Sequence, residues 1–166
     1  MIPQQIYLDS NATTCTDPEV IKIHQIALNE CYGNPSSIHY FGQISHAALA
    51  LSRRKIASFF GVKPHEIIFF SSATEALSTL IFSLIKSDYS QIVSSDLEHA
   101  AVFGGLKSLR DDQANVTFIS PKEQGAVSLE DIKGAVTSKT QVIILMAANN
   151  ETGVITPIEE IAAFAK

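Results

Sequence analysis

The sequence is poor in the residues that mark several classes of protein. Of its 166 residues, 17% are charged, and the net charge of −5 comes without any cluster of Lys and Arg. We therefore do not expect the basic surface that binds nucleic acid or an anionic membrane. The two cysteines, Cys15 and Cys31, form neither a disulfide framework nor a motif with metal-ligand spacing. Free thiols and no metal site are expected.

Long apolar segments are also lacking. The longest uninterrupted apolar run, residues 142–148, is too short to cross a bilayer, and no basic segment followed by an apolar one opens the chain. We therefore expect a cytoplasmic protein without a membrane partner. Two glycine patterns of nucleotide-binding proteins, G-x-G-x-x-G after the first strand and G-x-x-x-x-G-K-S/T, are absent as well.

The sequence does contain enough apolar residues for a core: they make up 46% of a chain whose length suits one domain, residues 1–166. Short apolar runs bounded by polar turns alternate with segments of helical periodicity. This alternation predicts an α/β fold with a mostly parallel sheet and flanking helices. The predicted strands are Ile67–Phe70, Gln91–Ser95, Asn115–Ile119 and Thr140–Met146.

Capping signals predict where the helices begin and end. Thr16 with Glu19 forms a capping-box pattern before the first helix, and Gly61 is a stop signal after the second. Similar opening patterns begin at Ser128 and Thr156. The predicted helices are Asp17–Cys31, Phe41–Phe60, Ala73–Lys86 and His99–Leu109, with shorter ones after Ser128 and Thr156.

Polar residues follow Ile67–Phe70 at the point where the next helix begins. Ser71, Ser72 and Thr74 bring hydroxyl groups to a helix start, whose first N–H groups lack intrahelical acceptors and favour an anion. The pattern predicts a phosphate-binding turn. An ordinary Ser/Thr N-cap on a core helix fits this stretch equally well when it is taken alone.

Two further polar clusters follow predicted strands. Residues 96–99 come after Gln91–Ser95, and residues 148–153 come after Thr140–Met146. Parallel strands end at the same edge of a sheet, and ligands of open α/β sheets bind beyond that edge. We therefore expect all three polar clusters to face one rim.

Five motifs, in order along the chain, resemble those of the class V aminotransferases, a family of pyridoxal-phosphate (PLP) enzymes, and among them the cysteine desulfurases. These motifs are Tyr7–Asp9 with Ala12–Thr14, Gly33–Ser37 with His39, Ser71–Glu75, Glu98–His99 and Asn149–Gly153. They extend over essentially the whole chain. The resemblance implies an incomplete N-terminal part of the large domain of a fold-type I PLP-dependent transferase.

The resemblance also implies cofactor contacts. Ala73 and Thr74 would contact the phosphate, in agreement with the predicted helix start. His99 would stack on the pyridine ring and relay protons, which makes it the candidate catalytic residue. Asn150 would hydrogen-bond near the phenolic oxygen. For His99 the alternative is an exposed histidine that caps the following helix.

Candidate substrate contacts come from the first part of the chain. The segment 1–15, with Ala12 and Thr13, resembles the family segment near the substrate entrance. Asn34 and His39 belong to a second loop that resembles one near the same site. Ordinary turn chemistry accounts for these four residues equally well.

Three groups that such an enzyme needs have no match in this sequence. In the family the Schiff-base lysine, the acidic partner of the pyridine nitrogen and the cysteine nucleophile all follow the Asn-Asn-Glu motif. No lysine here, and neither Cys15 nor Cys31, matches them. We therefore expect no turnover by this chain alone. Ser72 stands where relatives usually have glycine, so we expect PLP to bind weakly or not at all.

As function, the resemblance implies part of a cysteine desulfurase. Such an enzyme converts L-cysteine to L-alanine and passes the sulfur through its own cysteine to an acceptor or scaffold protein, for iron-sulfur clusters or other pathways. Members of the family are homodimers. Two alternatives stay open: an inert remnant that acts as a binding or dimerisation module, and an unrelated doubly wound nucleotide-binding domain.

Overall fold

A computed structural model describes residues 5–83, 91–111, 115–122 and 125–166. The chain forms two compact units, residues 1–69 and residues 70–166. That both belong to one incomplete domain remains a prediction. None of the described helices combines the length and apolar character that a membrane span requires.

The first unit is helical. Helix α1 spans Pro18–Glu30, and helix α2 spans Tyr40–Phe60 and is followed by a 3₁₀ turn at Pro64–Glu66. Helix α2 ends, as predicted, at Gly61, whose φ of +67° is a left-handed conformation that favours glycine.

The N-cap of α1 differs from the prediction. Asp17, rather than Thr16, is the cap, and its Oδ1 accepts the Glu19 N–H at 2.7 Å. The prediction of Thr16 is wrong because Asp17 is the last residue before helical backbone begins, so its side chain is the one that reaches the free N–H groups. Helix α1 buries none of its residues. Its apolar side chains Val20, Ile21, Ile23, Ile26 and Leu28 are 44–66% exposed.

The strand predicted at Ile67–Phe70 is not formed in the described part of the chain. The Ile67 carbonyl accepts from Arg53 Nε at 3.3 Å instead of from a neighbouring strand. The Arg53 guanidinium lies 5.1 Å from the centroid of the Phe69 ring, and Ile68 is 70% exposed. The prediction is wrong because an apolar run becomes a strand only when a second strand takes up its backbone hydrogen bonds.

The second unit is a parallel α/β structure. Its elements are α3 (Ala73–Ser83), β1 (Gln91–Ser95), α4 (Ala100–Asp111), β2 (Asn115–Ile119), α5 (Leu129–Ala135), β3 (Thr140–Ile143) and α6 (Ile158–Phe164). The strands have the order β2-β1-β3, and both neighbouring pairs are parallel. The predicted α/β class with a parallel sheet and flanking helices is confirmed. The predicted extension of α3 to Lys86 lies outside the described residues.

Strand β1 lies at the centre of this sheet, and all five of its residues are buried. Ile92 packs in a cluster with Leu106 of α4, whereas its neighbour Val93 packs with Ile132 of α5 and Ile161 of α6. Successive side chains of a strand point to opposite faces, so helices cover both faces of the sheet. The predicted bounds of β1 and β2 match the structure.

A buried amide at the start of β1 is fully hydrogen-bonded. Gln91 Nε2 donates to Thr117 Oγ1 at 2.8 Å and to the Ala135 carbonyl at 3.1 Å. Gln91 Oε1 accepts from the hydroxyls of Thr137 at 2.9 Å and Thr140 at 2.5 Å. One side chain therefore joins β1 to β2, β3 and the end of α5.

Strand β3 is shorter than predicted and ends at Ile143 rather than Met146. Ile144 N–H still donates to the Val93 carbonyl at 2.9 Å, but Met146 N–H donates to the Glu98 carboxylate at 3.0 Å. The hydrogen-bond ladder between β1 and β3 ends there, because the Met146 N–H binds a side-chain carboxylate instead of the carbonyl of a neighbouring strand.

The two predicted capping boxes of this unit have opposite outcomes. Ser128 and Asp131 form the box in front of α5. The box predicted at Thr156 is not formed, because Pro157 occupies the N-cap position of α6 and has no side chain that accepts a hydrogen bond.

Candidate functional site

The loops that follow β1 and β3 line an open cavity of about 290 Å³. Its walls are residues 96–100 and residues 149–152. Because parallel strands end at the same edge of a sheet, the two loops lie side by side, as the sequence predicts for two of its three polar clusters. The volume is close to the lower end of the range for small-molecule sites, roughly 300–1,000 Å³.

Glu98 connects the two walls of this cavity. Its Oε1 accepts the Ser95 hydroxyl at 2.8 Å and the Met146 N–H at 3.0 Å. Ser95 is 2% exposed at the end of β1, and its Oγ also accepts the Leu97 N–H at 3.2 Å. The carboxylate therefore holds the loop after β1 against the chain that leaves β3.

Asn149 makes a second connection, from the loop after β3 to the loop after β1. Its Nδ2 donates to the Leu97 carbonyl at 3.1 Å, while its Oδ1 accepts the N–H groups of Glu151 and Thr152, both at 2.9 Å. The turn closes at Gly153, whose φ is +73° and whose N–H donates to the Asn149 carbonyl at 2.8 Å. Asn149 is thus the residue that shapes this turn and fixes it to the other loop.

His99 lies in the cavity wall and is exposed. Its Nδ1 accepts the Ala101 N–H at 3.2 Å, which is the contact of a residue that caps the start of α4. An acceptor Nδ1 places the proton of the neutral ring on Nε2. The residue therefore caps a helix and at the same time belongs to the wall of the cavity.

Asn150 lies in the other wall and is also exposed. Within the part of the chain that the structure describes, its amide makes no hydrogen bond, whereas the amide of the adjacent Asn149 both donates and accepts. The two asparagines therefore have different roles. Asn149 maintains the turn, and Asn150 offers a donor and an acceptor to a ligand.

The start of α3 differs from the predicted phosphate turn in one respect. Glu75 Oε2 accepts both the N–H of Ser71 at 2.8 Å and its hydroxyl at 2.5 Å, and these bonds lower the pKa of the Glu75 carboxyl. Ser72 Oγ accepts the Glu75 N–H at 3.1 Å. The Ser71 hydroxyl is therefore not the free donor that the sequence predicts, because a carboxylate of the same helix accepts its hydrogen bond. Ser72 Oγ accepts from a helix N–H, so its own O–H can still donate.

The backbone of the same turn agrees better with the prediction. Among the described residues, the N–H groups of Ala73 and Thr74 have no protein acceptor, and α3 is long enough at 11 residues to present a dipole at its start. Neither residue belongs to the walls of the 290 Å³ cavity. The structure thus brings His99 and Asn150 together and leaves Ala73 and Thr74 outside that cavity.

The four predicted substrate contacts are exposed and belong to the first unit. The N–H groups of Ala12 and Thr13 both donate to the Asp9 carbonyl, at 3.1 and 3.2 Å. Asn34 Oδ1 accepts the Ser36 N–H at 2.9 Å. These are turn contacts, and contact with a substrate stays a prediction.

The fourth of these residues, His39, caps a helix. Its Nδ1 accepts the Gly42 N–H at 3.3 Å at the start of α2. Gly42 is required there, because a Cβ on it would lie 2.7 Å from the Cβ of Ser37 and 2.8 Å from the Asn34 carbonyl oxygen. The loop with Asn34 and His39 is therefore packed closely against the first turn of α2.

The sequence indicates no role for Glu98 beyond its place in a motif. A glutamate next to His99, directly after a strand, is the only local signal. Its partner Met146 is 48 residues further along the chain, and no pattern in the sequence indicates that pairing. The described residues also contain no group of three or more His, Cys, Asp or Glu placed to hold a metal ion.

A comparison with known protein families identifies the family of this chain. The model of the family described as aminotransferase class-V matches residues 6–166. The chain belongs to the class-V aminotransferase family.

This class-V aminotransferase chain is 38% identical over 158 residues to the cysteine desulfurase of Trichormus azollae, a match that covers 94% of the chain and 40% of that protein. A NifS-like protein of known structure shares 32% of its sequence and superposes with a TM-score of 0.91, over 98% of this chain and 46% of the other. A second structure, SspA in complex with cysteine, is 28% identical with a TM-score of 0.86, over 96% of this chain and 47% of the other.

The first curated relatives are thus much longer than this class-V aminotransferase chain, which spans about 40% of their length. The similarity confirms the family resemblance seen in the five motifs and the fold class. It leaves the assignment of individual contacts to Ala73, Thr74, His99 and Asn150 as predictions.

Proposed function

We propose that this chain forms the N-terminal part of a PLP-dependent cysteine desulfurase and supplies the contacts to the cofactor ring and phosphate. The observation that carries the proposal is the cavity that His99 and Asn150 both line, one from the loop after β1 and the other from the loop after β3. The similarity to cysteine desulfurases and to a structure that contains cysteine supports L-cysteine as substrate of the complete enzyme.

The residues present fit the cofactor in two places. The N–H groups of Ala73 and Thr74 are free donors at the positive end of α3, which suits a phosphate dianion. The cavity has a flat imidazole on one wall and an uncommitted amide on the other, which suits a pyridine ring with a phenolic oxygen. Its walls contain the carboxylates of Asp96, Glu98 and Glu151 and no Lys or Arg, so the phosphate does not belong inside it.

When bound, PLP supplies an electron sink for the bonds that break at the amino acid. The chain's own part is to bind and orient. Asn150 Nδ2 would donate to the phenolic oxygen, and the imidazole of His99 would lie over the ring, with Nε2 as the atom that holds or passes a proton. Because the lysine and cysteine of the family have no match in these 166 residues, we expect this chain alone to give no turnover.

Binding can be tested without the reactive aldehyde. Pyridoxine 5′-phosphate has the ring, the phenolic oxygen and the phosphate but cannot form a Schiff base with surface lysines. Because Ser72 stands where relatives usually have glycine, calorimetric titration should show weak binding to the chain, reduced further by His99→Ala and by Asn150→Ala. Pyridoxine, which lacks the phosphate, should bind at least about tenfold more weakly, the effect of roughly 1.4 kcal/mol. The control is His46→Ala, which removes an exposed imidazole from α2.

The outcomes separate the alternatives. No binding of pyridoxine 5′-phosphate contradicts the proposal, and binding of NAD or ATP in its place supports a nucleotide-binding domain. With PLP itself, borohydride reduction should give no adduct at a single lysine. Such an adduct, together with sulfide release from cysteine, would contradict the expected lack of turnover.

A second function, as a dimerisation module, is favoured by the exposed apolar side of α1, which buries none of its residues. Sedimentation equilibrium of the chain tests it. A dimer that dissociates on Ile23→Glu would support this function, and a monomer at every concentration would contradict it.

A further inference from the structure

We propose that Glu98 is a positioning residue, which sets the separation between His99 and Asn150 by fixing the two loops that carry them. The inference rests on the proposed function, because it concerns the binding of the cofactor ring between those two residues. It assigns the carboxylate no contact with the ring.

The hydrogen bonds of Glu98 join the end of β1 to the chain that follows β3. One bond runs to the Ser95 hydroxyl, at the last residue of the buried central strand. The other runs to the Met146 N–H, on the chain that leads to Asn150. His99 is the next residue after Glu98, so a backbone shift at Glu98 also moves the imidazole.

Asn149 completes the connection from the other side. Its Nδ2 donates to the Leu97 carbonyl at 3.1 Å, next to Glu98, and it precedes Asn150. Each loop thus contributes one side chain that binds the backbone of the other loop, and each of these side chains is adjacent to a candidate ligand contact.

Both hydrogen bonds of Glu98 end on the same oxygen, Oε1. A glutamine at this position can accept both bonds with its single carbonyl oxygen, whereas alanine can accept neither. Glu98→Gln is therefore a matched control for Glu98→Ala, since it removes the charge and keeps the connection. Glu130→Ala, on the exposed side of α5, controls for loss of a carboxylate elsewhere.

The experiment measures two quantities in the 166-residue chain: amide hydrogen exchange of Met146 by NMR, and the Kd for pyridoxine 5′-phosphate. In Glu98→Ala we expect exchange at Met146 to accelerate at least tenfold and the Kd to rise about tenfold. In Glu98→Gln both should stay within about threefold of the parent chain, and Glu130→Ala should change neither.

Three results would overturn the inference. If Met146 loses protection in Glu98→Ala while the Kd is unchanged, the residue has only a structural role. If Glu98→Gln binds as weakly as Glu98→Ala, charge rather than the connection matters. If the parent chain does not bind pyridoxine 5′-phosphate, the proposed function fails and this inference fails with it.

A milder variant covers the case in which Glu98→Ala does not fold. Ser95→Ala removes one donor to Oε1 and leaves the bond to Met146, so we expect about threefold weaker binding and faster exchange at Met146. Faster exchange with unchanged binding would overturn the inference here too.

Discussion

Replacement of Gln91 by leucine should destabilise the α/β unit more than any exposed substitution in the same sheet. Gln91 is 6% exposed and makes four hydrogen bonds, to Thr117, Ala135, Thr137 and Thr140. Gln91→Leu keeps much of the side-chain volume and removes all four bonds. Donors and acceptors on three neighbouring segments then lose a partner while they stay away from water.

The expected magnitude follows from these bonds. Each neutral hydrogen bond contributes about 0.5–1.5 kcal/mol net, so four give roughly 2–6 kcal/mol. The added apolar burial of leucine offsets about 1–2 kcal/mol of this loss. We therefore expect the free energy of unfolding to fall by about 3 kcal/mol, a large part of the roughly 5–15 kcal/mol that stabilises a domain.

Urea unfolding followed by circular dichroism measures this change as a lower midpoint at unchanged slope. The matched control is Gln141→Leu, the same substitution at an exposed position of β3, for which we expect a change within about 0.5 kcal/mol. A loss below about 1 kcal/mol for Gln91→Leu, or equal losses for both variants, would refute the idea that this amide network holds the three strands together.

Three further predictions concern other elements. Gly42→Ala should lower the thermal midpoint of unfolding, because its Cβ would lie 2.7 Å from the Cβ of Ser37 and overpacking costs about 1–3 kcal/mol. The control is Gly134→Ala in α5, where a Cβ meets nothing within 4 Å, and this substitution should raise the midpoint. Asp17→Ala should destabilise α1 by about 1 kcal/mol, measured by urea titration, and an unchanged midpoint would count against the cap. Hydrogen bonds from Lys122 and from the hydroxyl and N–H of Ser128 lower the pKa of Asp131 from 3.8 to about 2, so its stabilising effect is complete above about pH 4 and is lost as the pH falls towards 2. The stability difference between the parent chain and Asp131→Asn should shrink over that interval, and a constant difference would contradict the assignment.

The sequence predicts those elements best whose signals are local. Strands β1 and β2 have the predicted bounds because each is a short segment with β-branched residues at its centre and polar residues at its flanks, and Gly61 ends α2 through its own left-handed backbone. The strand expected at Ile67–Phe70 fails because strand formation depends on a neighbour that the run itself does not specify. The end of β3 differs from the prediction for a related reason, because the Met146 N–H donates to the Glu98 carboxylate instead of to a strand.

The candidate site shows the same division. That His99 and Asn150 meet follows from the rule that parallel strands end at one edge, and it is predictable from strand order. The contact of Glu98 is not predictable, because it reaches Met146 across 48 residues and depends on a distance that exists only in the folded chain. Ser72 and Glu75, in contrast, have the local spacing of a capping box, and Ser72 Oγ accepts the Glu75 N–H.

The central strand β1 has a consequence for how this molecule tolerates change. Gln91 and Ser95 stand at its two ends, about 13 Å apart at roughly 3.3 Å per residue. One end joins the three strands, and the other holds the loops of the cavity. Substitutions near Gln91 should therefore change the stability of the fold, and substitutions near Ser95 should change the affinity for a ligand. Both ends belong to a single five-residue strand. A saturation library across β1 would separate the two properties, with the division near the buried Val93.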